Sequence, residues 1–230
     1  MCGRFNLTNP KDIEKRFGFL DWHEKRIEPR FNIAPSQDIL MVVRDPQQGL
    51  LDQMARWGFA PFWADSSGAK KKPPPINARA ESLAKSAMFR DALATGRCLI
   101  PATGFYEWRA EPGTGLKTPL HIRLKNGEVF AFAGLWTPGK HHGPPTAAIV
   151  TCGPNELMAS IHTRMPAILR REHEALWLDP AYTEPEKLLQ PYPTEEMEAY
   201  AVAPLVNSFQ NEGPELIVPV TGASPQLSLF

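Results

Sequence analysis

The stretch Arg97-Cys98-Leu99-Ile100-Pro101-Ala102-Thr103-Gly104-Phe105-Tyr106-Glu107-Trp108-Arg109 decides the fold class. It holds two apolar runs, Arg97 to Ala102 and Gly104 to Arg109, each too short for a helix and broken at Thr103-Gly104, so both read as strands. Leu120 to Leu124, Val129 to Leu135 and Ala147 to Thr151 repeat the pattern, and Asn126-Gly127 between two of them predicts a hairpin. The centre of the chain therefore reads as antiparallel sheet. Upstream, Ile39 to Arg44 and Gln53 to Trp57 form a second predicted hairpin around Asp45-Pro46 and Gly49.

Helices surround these strands. Asn9-Pro10-Lys11-Asp12-Ile13 predicts a short peripheral helix to about Phe17, with Asn9 as cap. Ala80, Leu83, Ala84, Ala87 and Met88 fall at the spacing of a helix stripe. Arg171 to Leu178, Glu184 to Leu189 and Glu195 to Tyr200 also read as helical, the second with Thr183 and Glu186 spaced as a capping box. Without a βαβ rhythm or an internal repeat, the expectation is an α+β fold with a barrel-like antiparallel core and peripheral helices. Ala64 to Pro75, with Lys70-Lys71-Lys72 and Pro73-Pro74-Pro75, reads as a basic loop.

Length and composition narrow the classes. A chain of 230 residues, 43% hydrophobic, can bury one large core, and we expect a single domain over residues 1–220. Twenty-five basic residues balance twenty-five acidic ones, so any polyanion site must be local. Cys2, Cys98 and Cys152 form no Cys-x-x-Cys pair, so no zinc centre or other cofactor is expected. The chain carries neither a secretory signal pattern nor an apolar run of membrane-spanning length, and the expectation is a soluble cytoplasmic protein.

Four segments place polar groups in apolar surroundings. Glu107, between aromatics in Gly104-Phe105-Tyr106-Glu107-Trp108, would lose hydration if its strand is buried, which favours a proton donor and acceptor; a strand with Glu107 on its wet face is the alternative. In Ser160-Ile161-His162-Thr163-Arg164-Met165-Pro166, His162 and Arg164 are two apart and would share one strand face, although a structural histidine gives the same pattern. Pro75-Ile76-Asn77-Ala78-Arg79-Ala80-Glu81 joins an extended segment to the predicted stripe helix, where Asn77 would serve equally as a cap. Trp57-Gly58-Phe59-Ala60-Pro61-Phe62-Trp63, with Asn32-Ile33-Ala34-Pro35 upstream, offers aromatic surface for stacking bases or for packing a core.

Met1-Cys2-Gly3-Arg4-Phe5 adds a reactive group. Removing Met1 leaves a cysteine with a free α-amine, a 1,2-aminothiol that condenses with an aldehyde and closes to a thiazolidine. The amine titrates near ~8 and the thiol near ~8.5 when unperturbed.

Together these segments resemble one family, the SOS-response-associated peptidases (SRAP), over Met1 to about Pro219. The motifs that carry the resemblance are Met1 to Phe5, Asn32 to Pro35, Trp57 to Phe59, Ile76 to Glu81, Arg97 to Trp108 and Ile161 to Pro166. It implies a shield of abasic sites in single-stranded DNA, with Cys2 forming a covalent thiazolidine crosslink to the opened sugar. It further implies that Glu107 is the acid/base, Asn77 the orienting amide and His162 the histidine beside the lesion. Arg4, Arg79 and Arg164 match phosphate-binding positions, while Pro35 and Trp63 belong to the DNA-facing surface. Ala102-Thr103-Gly104 departs from the pattern where the family often has an acidic residue, as do Phe62 and the Lys/Pro insertion. Cys98 and Cys152 read as inert core thiols.

Two rival classes remain open from the residues: a thiol peptidase (the hydrolase or protease class, as against a lyase), and a non-covalent single-strand binding module. After Pro219 a short linker leads to Gln226-Leu227-Ser228-Leu229-Phe230, which resembles the motif that binds the bacterial sliding clamp, with Gln226 as anchor and Leu227, Leu229 and Phe230 as apolar contacts. The expected partners are thus single-stranded DNA and the clamp, with the protein a monomer and no membrane involved.

Overall fold

A computed structural model describes residues 2–18, 28–61, 73–139 and 143–220. Trp63, Phe62, most of the basic loop and Gln226, Leu227, Leu229 and Phe230 lie outside the described residues. In chain order the strands begin with β1 (Phe5–Leu7), β2 (Arg30–Ile33), β3 (Asp38–Asp45), β4 (Gly49–Trp57), β5 (Asn77–Arg79) and β6 (Arg97–Ala102). They continue with β7 (Gly104–Ala110), β8 (Lys117–Leu124), β9 (Phe130–Thr137), β10 (Thr146–Cys152), β11 (Met165–Pro166), β12 (Ile168–Leu169) and β13 (Met197–Ala201). The α-helices are α1 (Lys11–Phe17), α2 (Arg90–Thr95), α3 (Glu156–Ala159) and α4 (Arg171–Leu178).

The fold is α+β, as the sequence predicts, in two sheets. One runs β13-β8-β7-β1-β2 and is antiparallel throughout. The other runs β11-β10-β4-β3-β6-β9-β12, and β9 pairs back onto β10 so that five strands form a ring. Two short pairings in it, β10 with β4 and β10 with β5, are parallel. The core fills the space between the sheets: Phe5 of the first meets Trp57 and Phe132 of the second edge-on, ring centres 5.2 and 5.8 Å apart.

The opening stretch crosses from one sheet to the other. β6 belongs to the ring and β7 to the open sheet, and the chain changes layer at Thr103. Asn126-Gly127 does the same in reverse and does not make the predicted hairpin. It is a tight turn, with Gly127 at φ 69° and the Glu128 N–H bonded to Asn126 Oδ1 at 3.0 Å. However, β8 is already paired on both edges, with β7 and β13, so the chain continues into the ring. The Asp45–Gly49 hairpin forms as predicted, Asp45 Oδ1 accepting from the N–H of Gln47 and Gln48 at 2.8 Å each.

Local helix signals fare less well. Helix α1 starts from Pro10, with no side-chain cap from Asn9. In place of the predicted stripe helix, Ala80–Ser82 is a single 3₁₀ turn followed by further turns up to α2. The serines explain it: Ser82 Oγ bonds Arg79 O at 3.3 Å and Ser86 Oγ accepts from Met88 N at 3.3 Å, local bonds that compete with a helical ladder. Of the stripe only Leu83 is fully buried, so packing does not reverse that choice. Pro185–Leu188 is likewise a 3₁₀ turn without the Thr183/Glu186 capping box. The predicted helix Glu195 to Tyr200 is instead mostly strand β13. Glu198 pairs across to Arg123 at 2.7 Å and Tyr200 faces His121, so cross-strand partners override the helix propensity of Met, Glu and Ala.

Candidate active site

Cys2 sits where the two sheets meet. Phe5 of β1 pairs with Phe105 of β7, and the Tyr106 N–H donates to Arg4 O at 2.9 Å. Continuing that antiparallel register toward the N-terminus brings Gly3 opposite Glu107 and Cys2 just beyond it. From the other sheet, Asn77 at the start of β5 donates its Nδ2–H to Cys2 O at 2.9 Å. The Cys2 thiol is fully buried and lies 3.9 Å from Arg4 O, while Asn77 Oδ1 is buried with no hydrogen-bond partner among the described residues. Glu107 is buried at 4% exposure, which answers the sequence alternative of a wet strand face.

Burial, first, and then the Glu107 charge push the Cys2 thiol well above its ordinary range. This changes the expectation of a thiol titrating near ~8.5. In this environment the sulfur keeps its proton at neutral pH, and the acidic side chain acting on it is Glu107. Burial likewise raises Cys98, and it raises Cys152 to about 12, which leaves both as core thiols.

His162 and Arg164 do not share a strand face. They lie in the loop between α3 and β11, after a helix capped by Asn155, whose Oδ1 accepts from Met158 N at 2.9 Å. The loop folds on itself. His162 Nδ1 accepts from the Arg164 N–H at 3.0 Å and lies 3.3 Å from Arg164 O, which fixes the ring against its own loop. Arg164 then reaches back to β10, its Nη2 donating to Thr151 O at 2.5 Å and Thr151 Oγ1 at 3.1 Å, and its Nη1 to Glu81 at 2.6 Å. Thr151 is in register with Arg79 on β5, two residues from Asn77, so the loop and the Cys2 region share one sheet edge.

The three matched arginines differ in their surroundings. Arg79 is exposed at the end of β5. Arg4 Nη1 is held by Asn32 Oδ1 at 2.6 Å and Val206 O at 2.8 Å, with the guanidinium 5.9 Å from the Trp108 ring centre. Pro35 is exposed on a turn whose next residue, Ser36, has φ 67°, an uncommon conformation for a non-glycine. Trp57 and Phe59 are core residues, so the described part of the aromatic stretch packs inward.

Sequence reasoning missed the polar network behind this site. Asn6 Nδ2 donates to His121 Nε2 at 2.7 Å and to Tyr106 Oη at 3.3 Å, while Asn6 Oδ1 accepts from Thr103 Oγ1 at 2.8 Å. With Nε2 accepting, His121 Nδ1–H donates to Tyr200 Oη at 2.9 Å, and the Tyr200 hydroxyl donates in turn to Ile217 O at 3.0 Å. Burial, with Arg123 nearby, depresses His121 to about 3. The network ties β1 to β7, β8 and β13, which fixes the strand that carries Cys2. Alternation around Asn6 and His121, each an inward polar residue in an apolar strand, was the available signal.

Residues 1–209 match the family model described as SOS response associated peptidase (SRAP). The chain belongs to this family. Among its relatives, the abasic site processing protein YoqW of Bacillus subtilis is 45% identical over 226 residues, covering 94% of this chain and 99% of that protein. The abasic site processing protein YedK of Escherichia coli is 28% identical, over 96% of this chain and 100% of that one. A crystal structure of a protein from Bacteroides thetaiotaomicron is similar with a TM-score of 0.81 at 26% identity, over 95% of this chain and 100% of the other. Among the described residues of this SRAP protein no helix is long and apolar enough to cross a membrane, and no cluster of three or more His, Cys, Asp or Glu is placed to hold a metal.

Proposed function

We propose that this SRAP protein, with Met1 removed, captures abasic sites in single-stranded DNA by forming a thiazolidine through Cys2, acting as a monomer. The observation that carries the reading is the Asn77 Nδ2 to Cys2 O bond of 2.9 Å, which holds the buried Cys2, an aminothiol once Met1 is removed, within range of the Glu107 charge. The names of the relatives supply the substrate class.

The chemistry balances with these residues. The Cys2 amine adds to the opened sugar's aldehyde, and loss of one water gives an imine. The sulfur then adds to the imine carbon, its proton leaves, and nitrogen ends as a ring amine. Glu107 accepts and returns protons, and the His162 ring serves the sugar oxygen. A thiol raised by burial and a neighbouring anion is a poor nucleophile by itself. A protonated imine beside it supplies the opposite charge and lowers the thiol again, so ring closure follows imine formation. Arg79 and Arg4 supply phosphate contacts, Arg164 adds its own where the strand displaces Glu81 from it, and Pro35 and Trp63 are further strand contacts.

Intact-mass measurement after incubation with a single-stranded abasic oligonucleotide tests this. A stable adduct of protein plus DNA minus water, absent in Cys2→Ala, is expected. DNA binding without an adduct would favour a non-covalent module, and peptide cleavage without DNA affinity a peptidase; either result overturns the proposal. We further propose that Gln226, Leu227, Leu229 and Phe230 dock on the bacterial sliding clamp. Pull-down on purified clamp is expected to fail when Leu229 and Phe230 are changed to alanine, and binding undiminished by those changes removes this part.

A further inference from the structure

One carboxylate occupies the phosphate corner. Glu81 is paired with Arg164 and lies within the field of Arg79, and both draw its carboxyl below the ordinary range, the hydrogen bond from Arg164 most strongly. Arg164 has few other choices. Its Nη2 is committed to Thr151, its Nε is buried, and its side chain is 17% exposed, so Nη1 is the edge that faces outward. Glu81, itself 57% exposed, occupies that edge at 2.6 Å. A strand phosphate reaching Arg164 must take the same position. The chain has zero formal net charge, so attraction to a polyanion is set by such local balances.

We propose that Glu81 is a specificity residue that limits non-covalent strand binding. By pairing with Arg164 it reduces the corner formed by Arg79, Arg164 and Glu81 to a single net positive charge. An undamaged strand is then released, and retention is decided by covalent capture. This rests on the single-strand reading above.

The test is fluorescence anisotropy with an intact labelled oligonucleotide over a range of salt concentrations. In Glu81→Gln the outward edge of Arg164 becomes available for one more phosphate, which steepens the log-log salt slope by about 0.7 and tightens Kd about five-fold at 0.1 M salt. Adding Arg164→Gln to Glu81→Gln is expected to return both values toward wild type. Binding of Glu81→Gln that is no tighter, or weaker with an unchanged slope, overturns the proposal and leaves Glu81 as a holder of Arg164. So does a gain that survives removal of Arg164. If the wild type forms the abasic adduct while Glu81→Gln merely tracks it on intact DNA, only this inference fails; if no protein binds or reacts with DNA, the underlying reading fails.

Discussion

Acid should weaken this fold through one histidine. His121 is fully enclosed, accepts at Nε2 from Asn6 at 2.7 Å and donates from Nδ1 to Tyr200 at 2.9 Å. A second ring proton would have to point at the Asn6 amide hydrogens. Burial accordingly depresses the ring from 6.5 to about 3, with Arg123 contributing. Between those values the unfolded chain binds a proton that the folded chain does not, so stability is flat above about pH 6.5 and falls as the pH drops toward 3. Each pH unit in that window costs about 1.4 kcal/mol, so pH 5 lies about 2 kcal/mol below the plateau, a large part of the roughly 5–15 kcal/mol total of a typical domain. Glu174 acts oppositely, since burial raises its carboxyl and favours the folded state as pH falls. Comparing variants cancels that term. Urea unfolding at pH 7 and pH 5 should show His121→Gln, which cannot titrate, losing about 2 kcal/mol less than wild type between the two conditions. Equal losses would refute the assignment of a neutral, enclosed His121.

Gly104→Ala places a Cβ 2.7 Å from His121 Cε1 and closer still to Nε2, so a loss of about 1–3 kcal/mol is expected in urea unfolding; an unchanged midpoint contradicts the packing. Asn77→Ala removes the donor to Cys2 O, and a hydrogen bond of about 1 kcal/mol corresponds to a roughly five-fold slower adduct, read by timed mass spectra. An unchanged rate would mean the amide orients nothing. In Cys2→Ala, the buried Cys98 and Cys152 should resist a thiol reagent until urea unfolds the chain; rapid labelling of the native protein would show that their burial is wrong.

Much of the architecture is legible locally. The runs from Arg97 to Thr151 carry their own strand lengths and turn residues, and Asp45 to Gly49 carries its hairpin. Failures occur where a local pattern has two solutions. Asn126-Gly127 makes the same tight turn whether the next strand pairs back or leaves for another sheet, and the occupied edges of β8 decide between them. Met197 to Ala201 is helical by propensity and strand by partnership. Ala80 to Met88 has a helix's spacing without a surface to bury it.

The chemical parts are likewise written in the chain: a cysteine that loss of Met1 turns into an aminothiol, an amide, a carboxylate, a histidine and arginines in ordered motifs. Their relation is not. Asn77 and Cys2 are 75 residues apart in sequence and meet only because β5 and β1 bring two sheets together. The thiol's raised pKa, the neutrality of His121 and the pairing of Arg164 with Glu81 rather than with solvent all depend on what surrounds each group after folding. Turn chemistry and side-chain period are short-range and survive in a sequence, whereas desolvation and strand register are set by neighbours distant along the chain, and only the tertiary structure supplies them.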